Sequence, residues 1–137
     1  MRLVWHGAYE CGHASIDNEH IRLFRDANEF LSKILSGCAL QETVSTAETL
    51  VRDVLQHFQH EEAIITNAGY PRAVEHAAIH RELVDHARAL LERYRSGNAG
   101  VGDIFQFLAH DVIAKHMLGA DRDFFPYLRN QRQAAER

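Results

Sequence analysis

Apolar residues recur at steps of three and four residues in four separate stretches of this chain, the spacing that places them on one face of an α-helix. The first stretch covers about 16–35 and the second about 44–65. The third starts just after Pro71, and the fourth covers about 103–119. No stretch alternates between apolar and polar residues as a half-buried strand does. The pattern therefore predicts four amphipathic helices and an all-α fold.

The connections between these stretches are short, so consecutive helices should pack as antiparallel neighbours. We therefore predict an antiparallel, up-down-up-down four-helix bundle. A chain of 137 residues is ordinary for one domain, and we assign 1–137 to a single domain. Residues 1–15 are predicted to form an irregular arm, with Ser15 as the N-cap of the first helix. The polar residues 128–137 are interpreted as a tail or the start of a linker.

Composition narrows the classes of function. The formal charge is −4 and no basic run occurs, which disfavours a nucleic-acid partner. The first residues do not form a secretory signal, and no run of about 18 apolar residues occurs, so we expect a cytoplasmic protein without membrane contact. Cys11 and Cys38 show no metal-ligand spacing. We expect two free thiols, with Cys11 the more exposed.

Histidine is unusually frequent, with ten in 137 residues, and half of them lie on the predicted apolar faces. Buried imidazoles and carboxylates are costly unless a bound group compensates them. The candidate metal ligands on these faces are His20, His57, Glu61, His76, His80, His116 and Asp121. The remaining histidines, expected to be solvated or to lie behind the ligands, are His6, His13, His60, His86 and His110.

The antiparallel order of the helices can bring these candidates to one level of the bundle. The second helix ends and the third begins at the turn 67–71, and both carry a pair of candidates four residues apart near that turn. Such a step places two side chains on one helix face, about 40° apart. His20 is early in the first helix and His116 is late in the fourth, so both reach the same level. The four groups are predicted to converge.

The step from His116 to Asp121 does not fit a regular helix. Five residues place two side chains about 140° apart. Asp121 can join the site only if the helix widens, as in a single π-type turn near Gly119, or if the helix ends so that Asp121 folds back. Asp123, seven residues after His116, is the geometrical alternative. Spacing alone leaves both aspartates open.

Imidazole nitrogen and carboxylate oxygen ligands together suit iron, manganese or zinc. The lack of thiolate ligands argues against structural zinc and iron–sulfur clusters. Seven ligands exceed what one such ion commonly takes. Two ions bridged by two carboxylates would use all seven and leave one coordination position for a small molecule. The residues therefore predict a two-metal site.

Four segments in this order resemble the hemerythrin family in its bacterial form. They are SIDNEH at 15–20, HFQHEE at 57–62, YPRAVEHAAIH at 70–80 and HMLGAD at 116–121, with a tryptophan in the arm. The resemblance covers nearly the whole chain and implies one hemerythrin-like domain with two iron ions and an oxo or hydroxo bridge. It implies one iron on His76, His80 and His116, the other on His20 and His57, and bridges from Glu61 and Asp121.

The resemblance also implies reversible binding of dioxygen at the open position of the iron held by His20 and His57. The protein would then be an oxygen carrier, store or sensor and not an enzyme. A dioxygen pocket needs apolar walls that exclude water. The predicted wall residues, each within one helical turn of a ligand, are Leu23, Phe58, Ile113 and Met117. Val112 stands where the family usually has a tryptophan, which predicts a roomier or wetter pocket and faster autoxidation.

Other classes of function compete with this one. A chain that continued past Arg137 into an output domain would favour an oxygen- or redox-sensing input domain of a signalling protein. Ferritin-like diiron oxidases use ExxH pairs on facing helices, whereas the only such pair here, Glu10 with His13, lies in the arm. A diiron oxidase, peroxidase or nitric-oxide reductase is therefore the less favoured alternative. Metal storage or repair of iron centres has no positive sign in the sequence.

Overall fold

The computed structural model describes residues 2–128. Its four bundle helices are α1 (Ala14–Leu35), α2 (Leu40–Asn67), α3 (Ala73–Arg95) and α4 (Val101–Gln106), and α4 continues as a π-helix over Phe107–Met117. Two 3-10 helices also occur, one in the arm at Gly7–Tyr9 and one after the π-helix at Ala120–Phe124, and residues 125–128 are α-helical. No strand occurs within 2–128, and the all-α prediction is confirmed.

The helices pack in a ring that follows chain order. α1 contacts α2 and α2 contacts α3, while α4 packs on α1 and the π-helix packs on α3. The connections 36–39, 68–72 and 96–100 are too short for a crossover, so neighbours in sequence run antiparallel. The predicted up-down-up-down four-helix bundle is confirmed.

Two apolar clusters stabilise the bundle by burying side chains of several helices. The first apolar cluster contains Leu3, Phe24, Ala27, Phe30, Leu31, Ala47, Ile104, Ile113 and Met117, and the second contains Cys11, Ile16, Ile65, Tyr70, Phe124, Phe125 and Leu128. Along α1, His20 stands between Ile16 of the second cluster and Phe24 of the first. A buried polar layer therefore separates two apolar layers.

The turn from α2 to α3 sets these two helices beside each other. The Tyr70 N–H donates to the Ile65 carbonyl at 3.0 Å, and the Gly69 N–H donates to the Thr66 carbonyl at 3.1 Å. This pair of bonds is the Schellman ending of a helix. It requires a positive φ, and Gly69 has φ +80° at little cost because it has no side chain. Tyr70 then packs with Ile65 in the second apolar cluster.

The start of α1 differs from the prediction. The helix begins at Ala14, and the Nδ1 atom of His13 accepts a hydrogen bond from the Ile16 N–H at 3.4 Å. His13 is therefore the N-cap, and Ser15 lies inside the first turn. An imidazole nitrogen can accept this bond as a hydroxyl does, so both residue types satisfy the free N–H groups of a helix start.

Cys11 also differs from the prediction, because it is only 1% exposed while Cys38 is half-buried. Both are free thiols, as expected. The arm folds back over the start of α1, where the Cys11 N–H donates to Asp17 Oδ1 at 2.9 Å. Burial raises the pKa of the Cys11 thiol to about 12, which keeps it neutral.

The end of the chain is described as far as Leu128, which packs in the second apolar cluster. The rest of the predicted polar tail, 129–137, lies outside the described residues. Within the part of the chain that the structure describes, none of the helices combines the length and the apolar character needed to cross a membrane.

Candidate metal centre

All seven predicted ligand side chains meet at one level of the bundle. Each of these residues is at most 4% exposed. They form two groups that share one carboxylate, and the candidate ligand atoms within each group lie within 4.8 Å of one another. The larger group is Glu61, His76, His80, His116 and Asp121, and the smaller group is His20, His57 and Glu61.

Glu61 turns one oxygen toward each group. Its Oε2 atom lies 3.0 Å from His57 Nε2 and 3.3 Å from His20 Nε2. Its Oε1 atom lies 2.9 Å from His76 Nε2 and 3.1 Å from His80 Nε2. A carboxylate in this position can bridge two neighbouring cations.

Asp121 lies on the opposite side of the same space. Its Oδ1 atom is 3.0 Å from both His76 Nε2 and His116 Nε2, and its Oδ2 atom is 3.9 Å from His20 Nε2. Asp123, the alternative that spacing left open, is exposed. The structure therefore brings Asp121, and not Asp123, to the cluster.

The backbone around His116 shows both features that were expected to bring Asp121 to the site, namely a widened helix and a helix end before Asp121. The helix is widened to π geometry, for example where the Leu118 N–H donates to the Ile113 carbonyl at 2.9 Å, a step of five residues. The helix then ends, and Asp121 lies in the first turn of the following 3-10 helix. The widening covers Phe107–Met117 and is thus longer than the single turn predicted near residue 119.

We expect Gly119→Ala to disturb the placement of Asp121. A Cβ atom at position 119 would collide with the carbonyl oxygen of Lys115, and a backbone group cannot swing aside as a side chain can. Relieving such overlap typically costs about 1–3 kcal/mol. The variant should unfold at lower temperature than the original protein and retain less metal, measured by thermal unfolding and elemental analysis.

Gly102→Ala is the matched control for this change. Gly102 lies in α4 and is exposed, and a Cβ added there would meet no atom within 4 Å. Alanine is the better helix former, so this control should be as stable as the original protein or slightly more stable. Equal metal retention in both glycine variants would contradict the role given to the chain geometry at Gly119.

Two carboxylates that were not predicted contact the Nδ1 atoms of candidate ligand histidines, on the side of each ring that faces away from the cluster. His57 Nδ1 lies 2.7 Å from Glu19 Oε1, and His80 Nδ1 lies 3.0 Å from Glu62 Oε2. A carboxylate only accepts, so both Nδ1 atoms carry a proton, and in the neutral imidazole the lone pair on Nε2 is then available to bind a cation in the cluster. The only signal for these carboxylates in the sequence is that each directly adjoins a predicted ligand.

The remaining histidines lie outside both groups, as predicted. His13 caps α1, and His6, His86 and His110 are exposed. His60 is also exposed, and its Nδ1 atom donates to the second oxygen of Glu19 at 2.7 Å. Glu19 therefore joins a buried ligand candidate to a surface histidine.

The atoms in the cluster face one another in a way that fits bound cations. His57 Nε2 and Glu61 Oε2 are 3.0 Å apart, yet the nitrogen makes no hydrogen bond, and neither oxygen of the buried Asp121 makes one. Two acceptors at this distance repel each other unless a proton or a cation lies between them. Neighbouring ligands around an octahedral ion with bonds of about 2.1 Å are also about 3 Å apart. The donor set therefore fits metal ions.

In the metal-free protein, protons on the imidazoles supply the positive charge that metal ions would otherwise provide. Burial alone would lower the pKa of His57, but the neighbouring carboxylates of Glu19 and Glu61 outweigh it and raise the pKa to about 9. Burial also opposes protonation of His76, whereas Asp121 and Glu61 raise its pKa to about 9. Burial would raise the pKa of Glu61, but the surrounding histidines hold it well below its ordinary value. The metal-free cluster therefore combines carboxylates with protonated imidazoles.

An apolar cavity of about 130 Å³ adjoins the cluster. His20, His57, His116 and Asp121 line it, whereas His76 and His80 do not. The other lining residues next to the cluster include Leu23, Phe58, Val112, Ile113 and Met117, so all four predicted wall residues border this space. The cavity thus borders both ligand groups, and it contacts both histidines of the smaller group but only one of the three histidines of the larger group.

Comparison with known proteins agrees with this architecture. Residues 11–128 match the family model described as the Hemerythrin HHE cation binding domain. A bacteriohemerythrin of Pseudomonas paraeruginosa is 27% identical over 128 residues, which cover 93% of this chain and 82% of that relative. A myohemerythrin of Riftia pachyptila is 25% identical over 119 residues, covering 86% of this chain and 87% of the relative. The chain therefore belongs to the hemerythrin family, which supports metal binding and oxygen binding at the level of the family.

Proposed function

We propose that this protein binds dioxygen reversibly at a non-haem diiron centre and serves as an oxygen carrier, store or sensor, not as an enzyme. The observation that carries the proposal is the pair of buried carboxylates, Glu61 and Asp121, which lie between two groups of histidines. Such carboxylates can hold two cations side by side. When bound, the iron pair would supply the electrons that dioxygen takes up.

The ligand assignment follows the two groups. One iron would be held by His76, His80 and His116, the other by His20 and His57, with Glu61, Asp121 and an oxo or hydroxo group as bridges. The smaller group offers two histidines where the larger offers three. The iron held by the smaller group would therefore be the one with an open coordination position.

The cavity supports the same assignment, because it contacts both histidines of the smaller group but only one of the three histidines of the larger group. An apolar diatomic molecule can reach the open position through this space. The wall formed by Leu23, Phe58, Ile113 and Met117 would exclude water and protons, which promote irreversible oxidation of the iron. Phe58 is held flat against the His80 ring, with ring centroids 3.7 Å apart, so this part of the wall is rigid.

Glu19 and Glu62 allow the two iron positions to be tested separately. Glu19 accepts a hydrogen bond from His57 of the smaller group, and Glu62 accepts one from His80 of the larger group. Glu19→Gln should weaken metal binding mainly at the smaller group, and Glu62→Gln mainly at the larger group. Losing the partner behind a ligand histidine typically costs about 10–100-fold in metal affinity. Stepwise metal titration followed by spectroscopy of each step measures this. An identical loss in both variants would contradict the assignment of separate positions.

Val112→Trp should slow autoxidation. Val112 is half-buried, lines the cavity, and lies one turn before His116. An indole at this position would fill space next to the open position and keep water away from it. We expect the absorbance of the oxygenated protein to decay several-fold more slowly than in the original protein, with the same iron content.

Ala114→Trp is the control for this change, since Ala114 is exposed on the same helix and does not line the cavity. Its autoxidation rate should equal that of the original protein. An unchanged rate in Val112→Trp, or an equal change in both variants, would contradict the role given to Val112.

Oxygen uptake distinguishes the proposed function from its alternatives. A binding protein takes up about one dioxygen for each pair of irons and releases it when the gas is removed. Continuous consumption of oxygen with an added reductant, faster than autoxidation, would favour a diiron oxidase, peroxidase or nitric-oxide reductase. A sensing role additionally requires an output domain, so it would be tested on the full natural chain.

A further inference from the structure

The cavity extends much further than a dioxygen pocket requires. Its lining residues on α1 run from His20 to Phe30, and those on α2 run from His57 back to Ala47. Ten residues of α-helix rise about 15 Å. Because α1 and α2 are antiparallel, both sets of residues line the same stretch of the cavity, which is about 15 Å long. One end lies at the metal centre, and the other lies deep in the first apolar cluster.

The end of the cavity away from the metal centre has a purely apolar lining. This far chamber is bordered by Leu3, Ala27, Phe30, Ala47, Leu90 and Ile104. Every ionisable residue that lines the cavity, namely His20, His57, His116 and Asp121, belongs to the metal centre. The short side chains of Ala27 and Ala47 leave the space that a larger residue would fill.

The arm lies across the far chamber. Leu3, which is 7% exposed, is held by two hydrogen bonds with Asn28 of α1. The Leu3 N–H donates to Asn28 Oδ1 at 2.7 Å, and Asn28 Nδ2 donates to the Leu3 carbonyl at 2.8 Å. Next to it, Trp5 packs edge-on against Phe24, with ring centroids 5.3 Å apart. Leu3 of the arm therefore forms part of the wall at this end of the cavity.

We propose that the far chamber is a second binding place, independent of metal, for small apolar molecules. A buried water molecule needs two to four polar partners, and the chamber lining offers none. Apolar cavities of about 150 Å³ remain dry and bind benzene or xenon. The chamber belongs to a cavity of about 130 Å³ and has the same character. It therefore favours a small apolar molecule over water.

Dioxygen is the natural occupant that this space selects by size and polarity, and this identification rests on the proposed function. A molecule in the chamber is within about 15 Å of the metal centre and reaches it without crossing water. The chamber thus acts as a local store from which the open position refills. Binding of an apolar molecule to the chamber itself does not depend on iron.

Xenon is the probe for this proposal. The full chain is studied by NMR with and without xenon, first metal-free and then iron-loaded. We expect saturable shifts of the methyl groups of Ala27, Ala47 and Leu90 in both forms. Methyl groups that do not respond to xenon, or long-lived water detected beside them, would overturn the proposal. Because the metal-free protein is included, this outcome is separate from any failure of the diiron assignment.

A second test fills the far chamber with a larger side chain. Ala47→Leu should abolish the saturable xenon shifts and slow dioxygen association several-fold, while the optical spectrum of the centre stays unchanged. Ala63→Leu is the matched control, because Ala63 is exposed on the same helix. If Ala47→Leu does not fold, Ala87→Leu fills the cavity from α3 instead. Undiminished xenon binding in the filled and folded variant would overturn the proposal.

Discussion

Replacing Glu61 with glutamine should prevent the protein from holding the two metal ions proposed for this site. Its two oxygens face different histidine groups, so one substitution affects both. Glutamine has no charge, and its amide nitrogen would point N–H donors at one of the groups, where lone pairs are needed. We expect the metal content to fall from two ions to fewer than one per chain, measured by elemental analysis after desalting.

Glu75→Gln is the control for this substitution. Glu75 directly precedes His76 on α3, but its side chain is exposed and it belongs to neither ligand group. The same loss of one carboxylate charge there should leave the metal content at two ions per chain. Retention of two ions by Glu61→Gln would contradict the bridging position inferred from the structure.

Removing the metal should make the stability of the folded protein fall as the pH rises from 6.5 to about 9. Desolvation would lower the pKa of His57 and of His76, but the neighbouring carboxylates outweigh it, so in the metal-free protein both pKa values are raised from 6.5 to about 9. A group with a raised pKa stabilises the folded state fully below pH 6.5, and this contribution is lost as the pH passes through about 9. One such shift corresponds to roughly 3 kcal/mol.

The two histidines share Glu61, so the loss for both together should be less than twice that amount. On the acid side the sign is opposite. The pKa of Glu61 is held below 4.5, so its contribution is present above pH 4.5 and is lost as the pH falls below that value. The metal-free protein should therefore be most stable between about pH 4.5 and 6.5.

Denaturant-induced unfolding of the metal-free chain at pH 6.5 and pH 9 measures this effect. The iron-loaded protein is the control, because bound metal has already displaced the protons from the ligand imidazoles. Its stability should change less over the same interval. A metal-free protein that is as stable at the higher pH as at the lower one would contradict the ion pairs described for the cluster.

The helices and most of the candidate site could be predicted because both depend on local spacing. Apolar residues at steps of three and four mark the helix faces, and the four-residue step from His57 to Glu61 places both side chains on one such face. The short connections then leave the antiparallel order as the only arrangement. This order brings His20, from the start of α1, to the level of the other ligands.

The features that could not be predicted depend on contacts between distant parts of the chain. The apolar spacing within Phe107–Met117 fits an α-helix as well as a π-helix, so spacing alone could not decide between Asp121 and Asp123, and only the resemblance to the hemerythrin family favoured Asp121. Glu19 supports a histidine 38 residues away, and no local pattern reports that contact. The burial of Cys11 depends on how the arm folds back over α1. The arm has no periodic pattern of apolar residues, so its position could not be predicted.

Anaerobic titration of the metal-free chain with ferrous iron, followed by an optical spectrum before and after exposure to air, tests the central claim most directly. Side chains from four helices are inferred to hold two irons, one of which has an open position. The account predicts saturation at two irons per chain and a charge-transfer band that appears with oxygen and disappears when oxygen is removed. Saturation below two irons, or a band that His57→Leu and His116→Leu leave unchanged, would contradict it.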